Sequence, residues 1–211
     1  MTDTHQLLVD ATRRCIGAKG LAATTSRDIT AEAGVNLAAI TYHFGSKDQL
    51  VAEALLDALR AWLAPTLAVL TGGGDPSARA LAAIETLTAT FDEHRDEAPA
   101  YLQALVEAPR MEPLRVGLVH LWAELRQLLA AQLADMRERG ELADWVDHDA
   151  MSSLLLAVAN GLVLQAIVDP DGPALETMAG QFGALILGVR RTPDRPRRAS
   201  PARRPSDSAR P

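Results

Sequence analysis

Cysteine occurs once in the 211 residues, at Cys15. An internal disulfide is therefore excluded, and a cytoplasmic protein is the expectation. Aromatic residues make up only 4% of the chain, and no stretch alternates apolar and polar residues for long enough to write a strand. Ala and Leu dominate a hydrophobic fraction of 48%, so the expected fold class is all-α. The opening MTDTHQ lacks a basic region followed by an apolar run, so no signal peptide is expected. Charged or polar groups are expected to interrupt every apolar segment short of the roughly 20 residues that span a bilayer, leaving no membrane partner. Catalytic signatures are missing as well: there is no Gly-x-Ser-x-Gly, no His-Glu-x-x-His and no dinucleotide fingerprint. Gly72-Gly73-Gly74 is followed by Asp75-Pro76, so it is not a phosphate cradle. The run from Asp92 to Glu97 is contiguous rather than spaced along one helix face, and reads as a solvated helix end instead of a metal site. No enzyme, cofactor or metal is expected.

The net charge of −6 is unevenly divided. Residues 1–48 carry five basic and five acidic side chains and are neutral, whereas 49–191 carry ten and twenty, and 192–211 carry six and two. Acid is thus concentrated outside the first segment, where it keeps the body off phosphates. The last segment, rich in Arg, Pro and Ser, is expected from its composition to be disordered. Three parts follow: 1–48, 49–191 and the tail 192–211.

The most informative stretch is residues 24–48. Thr25 and Asp28 have the spacing of a capping box, Ile29 and Ala33 share an inward face, and Gly34 is placed to end the helix. Asn36 is a good N-cap for a second helix, in which Ile40 and Phe44 fall on one stripe. Ser46 caps a third helix opened by Lys47. Two short helices joined by a glycine turn form a helix-turn-helix, with its second helix presented to a DNA major groove. Before this unit a first helix runs over 4–18, with Leu7, Leu8, Ala11, Cys15 and Ile16 on its apolar stripe. Cys15 there reads as a small buried hydrophobe.

Gly20, Thr24-Thr25, Asp28-Ile29, Ala33-Gly34-Val35, Ile40, Tyr42-His43-Phe44, Ser46-Lys47-Asp48 and Leu50 together resemble the TetR family of transcriptional regulators, over about Thr4 to Leu55. Thr30 and Thr41 depart from it, standing where the family usually has alanine and tyrosine. The resemblance implies phosphate contacts from Tyr42, His43 and Lys47, with Thr25 and Ser26 at a helix N-terminus adding more. It places Arg27 within bidentate reach of guanine, and Leu37, Ala38, Ala39 and Thr41 near base edges, with sequence choice resting on Arg27, Asn36 and Thr41. Packing alone would also account for Tyr42 and His43, and an exposed helix start for Lys47.

Beyond residue 48 the pattern predicts helices from Lys47 to about Leu70, Ser77 to Glu93, Pro99 to Ala108, Glu112 to Gly140, Asp147 to Val168, and a ninth to about Arg190. The resemblance implies that these form a sensor and dimerisation domain. Trp62, Tyr101, Met111, His120, Trp122, Asn160 and Gln165 are the large or polar residues among aliphatic helices, and so the candidates for a small-molecule pocket. Each has packing as its plainer explanation. The last two helices are apolar on more than one side, which requires burial on more than one side. Burial within one subunit satisfies this. Pairing across a two-fold into a four-helix bundle, with Leu155, Leu162, Phe182 and Ile186 on the seam, satisfies it too and is what the resemblance implies. The functional expectation is a homodimeric repressor on an inverted-repeat DNA operator, released by a small-molecule effector. A ligand-independent or architectural DNA-binding protein is the alternative.

Overall fold

The computed structural model describes residues 3–95 and 98–188. Among them are nine helices: α1 Thr4–Lys19, α2 Ser26–Ala33, α3 Ala38–Phe44, α4 Lys47–Thr71, α5 Pro76–Glu93, α6 Ala98–Glu107, α7 Glu112–Glu138, α8 His148–Val168 and α9 Leu175–Gly188. No strand occurs among the described residues, in agreement with the all-α expectation. The tail 192–211, the last residues assigned to the ninth helix (Val189 and Arg190) and the acidic pair at 96–97 lie outside the described residues.

Local signals set most helix ends. Asp3, Thr25, Ser46, Asp75 and Asp147 each accept a hydrogen bond from a backbone N–H in the first turn of the helix that follows. Gly34 ends α2 in the left-handed conformation at φ 68°, where a side chain would be strained. Pro65 sits inside α4 without an N–H to give to Ala61. Both residues are exposed, so the freed carbonyl is not confined to an apolar interior, and α4 continues to Thr71.

Leu8, Val9, Ala11, Cys15, Ile29, Ile40 and Phe44 form a small N-terminal core that also includes Leu50 and Ala54 of α4. Burial pushes the Cys15 thiol pKa up, as fits a packed hydrophobe. A second core joins Ile16 and Leu21 to Val51, Ala52, Leu55 and Leu56 of α4, Ala104 and Ala108 near α6, and Leu114 and Leu118 of α7. Packing therefore crosses residue 48 without a break, because the first turns of α4 complete the head's core before the helix enters the body. The α4–α7 contact is close: a Cβ at Gly117 would lie 2.0 Å from Leu56 Cδ1.

One expectation fails outright. Two helices, α4 and α8, are long and apolar enough to cross a membrane by length and composition. In α8 no charged residue interrupts residues 150–168, and Ser, Asn and Gln lower hydropathy too little to break the run. Only 11% of the α8 window is buried in the isolated chain. Its two faces differ. Leu155, Leu162 and Val163 point inward, whereas Leu154, Leu164 and Val168 are exposed, as is Leu185 on α9.

Candidate functional site

The helix-turn-helix is held by hydrogen bonds that also decide which polar atoms are left to meet DNA. The Thr25 hydroxyl accepts from Asp28 N at 3.2 Å and donates to Asp28 Oδ2 at 2.6 Å, while Thr25 N donates to the same oxygen at 2.8 Å. Lys19 Nζ lies 2.5 Å from that oxygen. An internal carboxylate thus already occupies the positive end of α2, leaving Ser26 and Arg27 as the outward groups of this turn. The hydrogen bond from Lys19, followed by those from Thr25, holds the Asp28 carboxyl far below its ordinary value of 3.8.

Because the folded carboxyl is the more acidic, its contribution to stability is complete above about pH 4 and is lost as pH falls below the ordinary value. Asp28→Asn is therefore expected to melt earlier than the parent at neutral pH, with the gap closing on acidification to about pH 2.5. Thermal melts followed by circular dichroism across that range check this. A gap of constant size would show that the carboxylate's charge contributes nothing.

On α3, Ile40 and Phe44 are buried, while Leu37, Ala38, Thr41 and Tyr42 are exposed on the opposite side. Tyr42 is 84% exposed, so the packing explanation for it fails. His43 is half-buried, with its ring edge-on to Tyr42 at 4.9 Å and to His5 at 6.3 Å. Three expected contacts need correcting. Ala39 is half-buried at the edge of the buried stripe of α3 and packs against the head's core. The Asn36 Oδ1 accepts from Ala39 N at 3.0 Å, so part of its acceptor capacity is spent on the start of α3. Lys47 Nζ donates to the Thr24 carbonyl, which pins the start of α4 to the loop before α2. Any phosphate contact falls to the remaining N–H bonds of that ammonium. Arg27 is exposed and its guanidinium makes no hydrogen bond or ion pair among the described residues. Arg14, by contrast, is held at 2.7 Å by Glu32.

A cavity of about 270 Å³ lies among α4, α5, α7, α8 and α9. Trp62, Tyr101, Trp122 and Asn160, four of the seven residues singled out from the sequence, line it. The Tyr101 hydroxyl donates to Asn160 Oδ1, and burial raises the Tyr101 pKa to about 12, so it remains a donor at any physiological pH. Met111, His120 and Gln165 are placed elsewhere. Met111 packs against the α4–α6–α7 core, His120 is exposed on α7, and Gln165 lies on the outer face of α8. The seam residues also need correcting: Leu155, Leu162, Phe182 and Ile186 all line this cavity rather than the outer surface. Helices apolar all round carry no periodic signal of which side faces the cavity, so sequence alone could not orient them. Phe91 and Thr66 complete the wall and were missed. Thr66 was legible in principle, one turn beyond Trp62 in an apolar helix.

A second cavity of about 390 Å³ lies under the head, between α1, α4, α6 and α7, with Asp10, Arg13 and Arg14 in its lining. Trp62 and Tyr101 line both cavities. Their ring centroids are 6.3 Å apart. Two residues beyond Tyr101, Gln103 Oε1 accepts from Leu21 N at 2.9 Å, tying α6 to the loop that precedes α2. The cavity wall thus reaches the head by two routes, along α4 and through α6.

Comparison with known proteins matches two segments of the chain. Residues 8–54 match the family described as bacterial regulatory proteins, tetR family, and residues 76–189 match the BetI-type transcriptional repressor, C-terminal. The HTH-type transcriptional regulator BetI of Agrobacterium fabrum (strain C58) is 38% identical over 130 residues, which cover 61% of this chain and 63% of that protein. The match therefore spans less than two thirds of that relative. A TetR transcription regulator from Haloarcula marismortui superposes with a TM-score of 0.77 at 25% identity, covering 90% of this chain and 99% of that one. The multidrug binding protein EbrR, solved with imidazole, gives 0.68 at 25% identity, covering 92% and 100%. The chain belongs to the TetR family of bacterial regulatory proteins, with a C-terminal domain of the BetI type.

Proposed function

We propose that this protein is a cytoplasmic transcriptional repressor that binds an inverted-repeat operator as a homodimer and is released by a small, largely apolar effector. The observation that carries the reading is the course of α4. One continuous helix of 25 residues, about 37 Å at 1.5 Å per residue, opens with Lys47 beside the DNA-facing helices and ends along the cavity. A displacement at Trp62 must move Lys47 unless the helix bends, and Pro65 lies beyond Trp62. Coupling is reciprocal: an effector that weakens operator binding tenfold is itself weakened tenfold by operator, about 1.4 kcal/mol. The reading unit is the head of residues 1–48 together with the first turns of α4, and the sensor unit is the remainder of 49–191.

The partner subunit is a second copy of this chain, seated on the outer faces of α8 and α9. Leu154, Ala157, Gly161, Leu164, Gln165 and Val168 recur at helical spacing on α8, and all but the half-buried Gly161 are exposed. Gly180, Ala184 and Leu185 are their exposed counterparts on α9. Nothing lies within 4 Å of a Cβ built at Gly161 or Gly180, so neither glycine is required by the isolated subunit. Small residues there let two backbones approach. Pairing also explains why so apolar a helix is so little buried in one chain.

Selection of bound sequences from a random DNA pool tests the reading. The expected product is a two-fold site with half-sites about one helical turn, or a multiple of it, apart. Arg27→Ala is expected to relax choice at one base pair per half-site, costing about 1–3 kcal/mol there. Enrichment of no sequence would favour the architectural alternative. An even loss of affinity with discrimination intact would make Arg27 a phosphate contact.

A further inference from the structure

Two residues that line the cavity carry a buried polar side-chain atom without a hydrogen-bond partner, Trp62 Nε1 and Thr66 Oγ1. They sit one turn apart on α4, and both side chains line the cavity. Several neighbouring polar groups are already engaged. Tyr101 donates to Asn160, the Thr88 hydroxyl donates to the Glu85 carbonyl at 2.9 Å, and Gln132 Oε1 accepts from Arg79 at 2.6 Å. An indole N–H only donates, so what it lacks is an acceptor, and leaving it unpaired in the interior is unfavourable. No Asp, Glu, Lys, Arg or His is among the described lining residues. An ion would therefore enter without a counter-charge. Trp62, Phe91, Tyr101 and Trp122 bring aromatic rings to the lining, but no carboxylate there would balance a cation. At about 30 Å³ per water, 270 Å³ corresponds to a molecule on the order of ten non-hydrogen atoms.

We infer that the effector is a neutral, largely apolar molecule of that size carrying one hydrogen-bond-accepting oxygen, as in a ketone, ester or ether, which Trp62 and Thr66 hold from α4. This rests on reading the cavity as the effector site. Its consequence is that the ligand's polar atom bonds to the helix that leads to the reading head, while its apolar part fills the space between α5, α7, α8 and α9.

Calorimetry on the full chain tests this with four probes: acetophenone; α-methylstyrene, which has CH2 in place of the carbonyl oxygen; benzoate; and benzyltrimethylammonium. The proteins are the parent, Thr66→Val, which removes the hydroxyl at nearly constant shape, and Trp62→Phe. Thermal melts confirm that each is folded. Trp62→Phe is expected to weaken acetophenone about tenfold more than α-methylstyrene, and Thr66→Val to act in the same direction by a smaller factor. Both ions are expected to bind more weakly than the ketone. If each variant shifts the two neutral probes equally, to within about twofold, the oxygen does not meet these donors and the inference falls, leaving the cavity as an effector site. Tighter binding of either ion than of the ketone also overturns it. If neither neutral probe binds the parent, the inference and the effector reading fall together.

Discussion

Lysine at both Leu164 and Leu185 is expected to give a folded monomer whose operator affinity is about 10²- to 10⁴-fold below that of the parent. Both side chains are exposed in the single subunit, at 46% and 61%, so neither substitution places a charge inside one chain. In the proposed dimer the same positions become the centre of an apolar seam, where unpaired ammonium groups are strongly unfavourable. Operator affinity then falls because each head must find its half-site separately. Sedimentation reads the first effect and fluorescence anisotropy on a selected operator reads the second. The informative control is Leu162→Glu on the inner face, which is expected to damage the cavity and the fold themselves. A double lysine variant that remained a dimer with full affinity would move the interface away from α8 and α9.

Leu50→Ala should destabilise the reading head by about 2–5 kcal/mol, the range for truncating a fully buried leucine. Leu50 is 0% exposed and contributes to the core formed by Leu8, Ile29, Ile40 and Phe44, although it belongs to α4. A head of this size has little burial to lose, so operator binding should disappear at temperatures where the parent still binds. The proposed pairing of subunits through α8 and α9 is remote from this core and should persist. Amide exchange is expected to rise across α1 to α3, with sedimentation unchanged. Operator affinity within about twofold of the parent would mean that the head collapses around the lost volume.

What could be read from the chain and what could not divides by distance along it. The Thr25–Asp28 capping box, the Gly34 turn, the Ser46 cap and the inward stripe of Ile40 and Phe44 all depend on residues three or four apart, and the local pattern states them completely. The resemblance rests on the same short spacings, so the family was legible as well. Other features join distant parts of the chain and leave no such trace. The Lys47 ammonium is turned to the Thr24 carbonyl across 23 positions, and Gln103 is bonded to the Leu21 N–H across 82. The resemblance implied a phosphate contact for Lys47, an exposed helix start was its alternative, and neither the resemblance nor the pattern pointed to Gln103.

The faces of α8 and α9 illustrate the limit most plainly. Periodicity locates a buried face only by contrast with a polar one, and these helices have almost no polar face. The sequence determined by itself that they must be buried on more than one side. Only the tertiary structure decided that Leu155, Leu162, Phe182 and Ile186 face the cavity while Leu154, Leu164, Val168 and Leu185 face outward, because the packing of α4, α5 and α7 fixes the rotation of each helix about its axis.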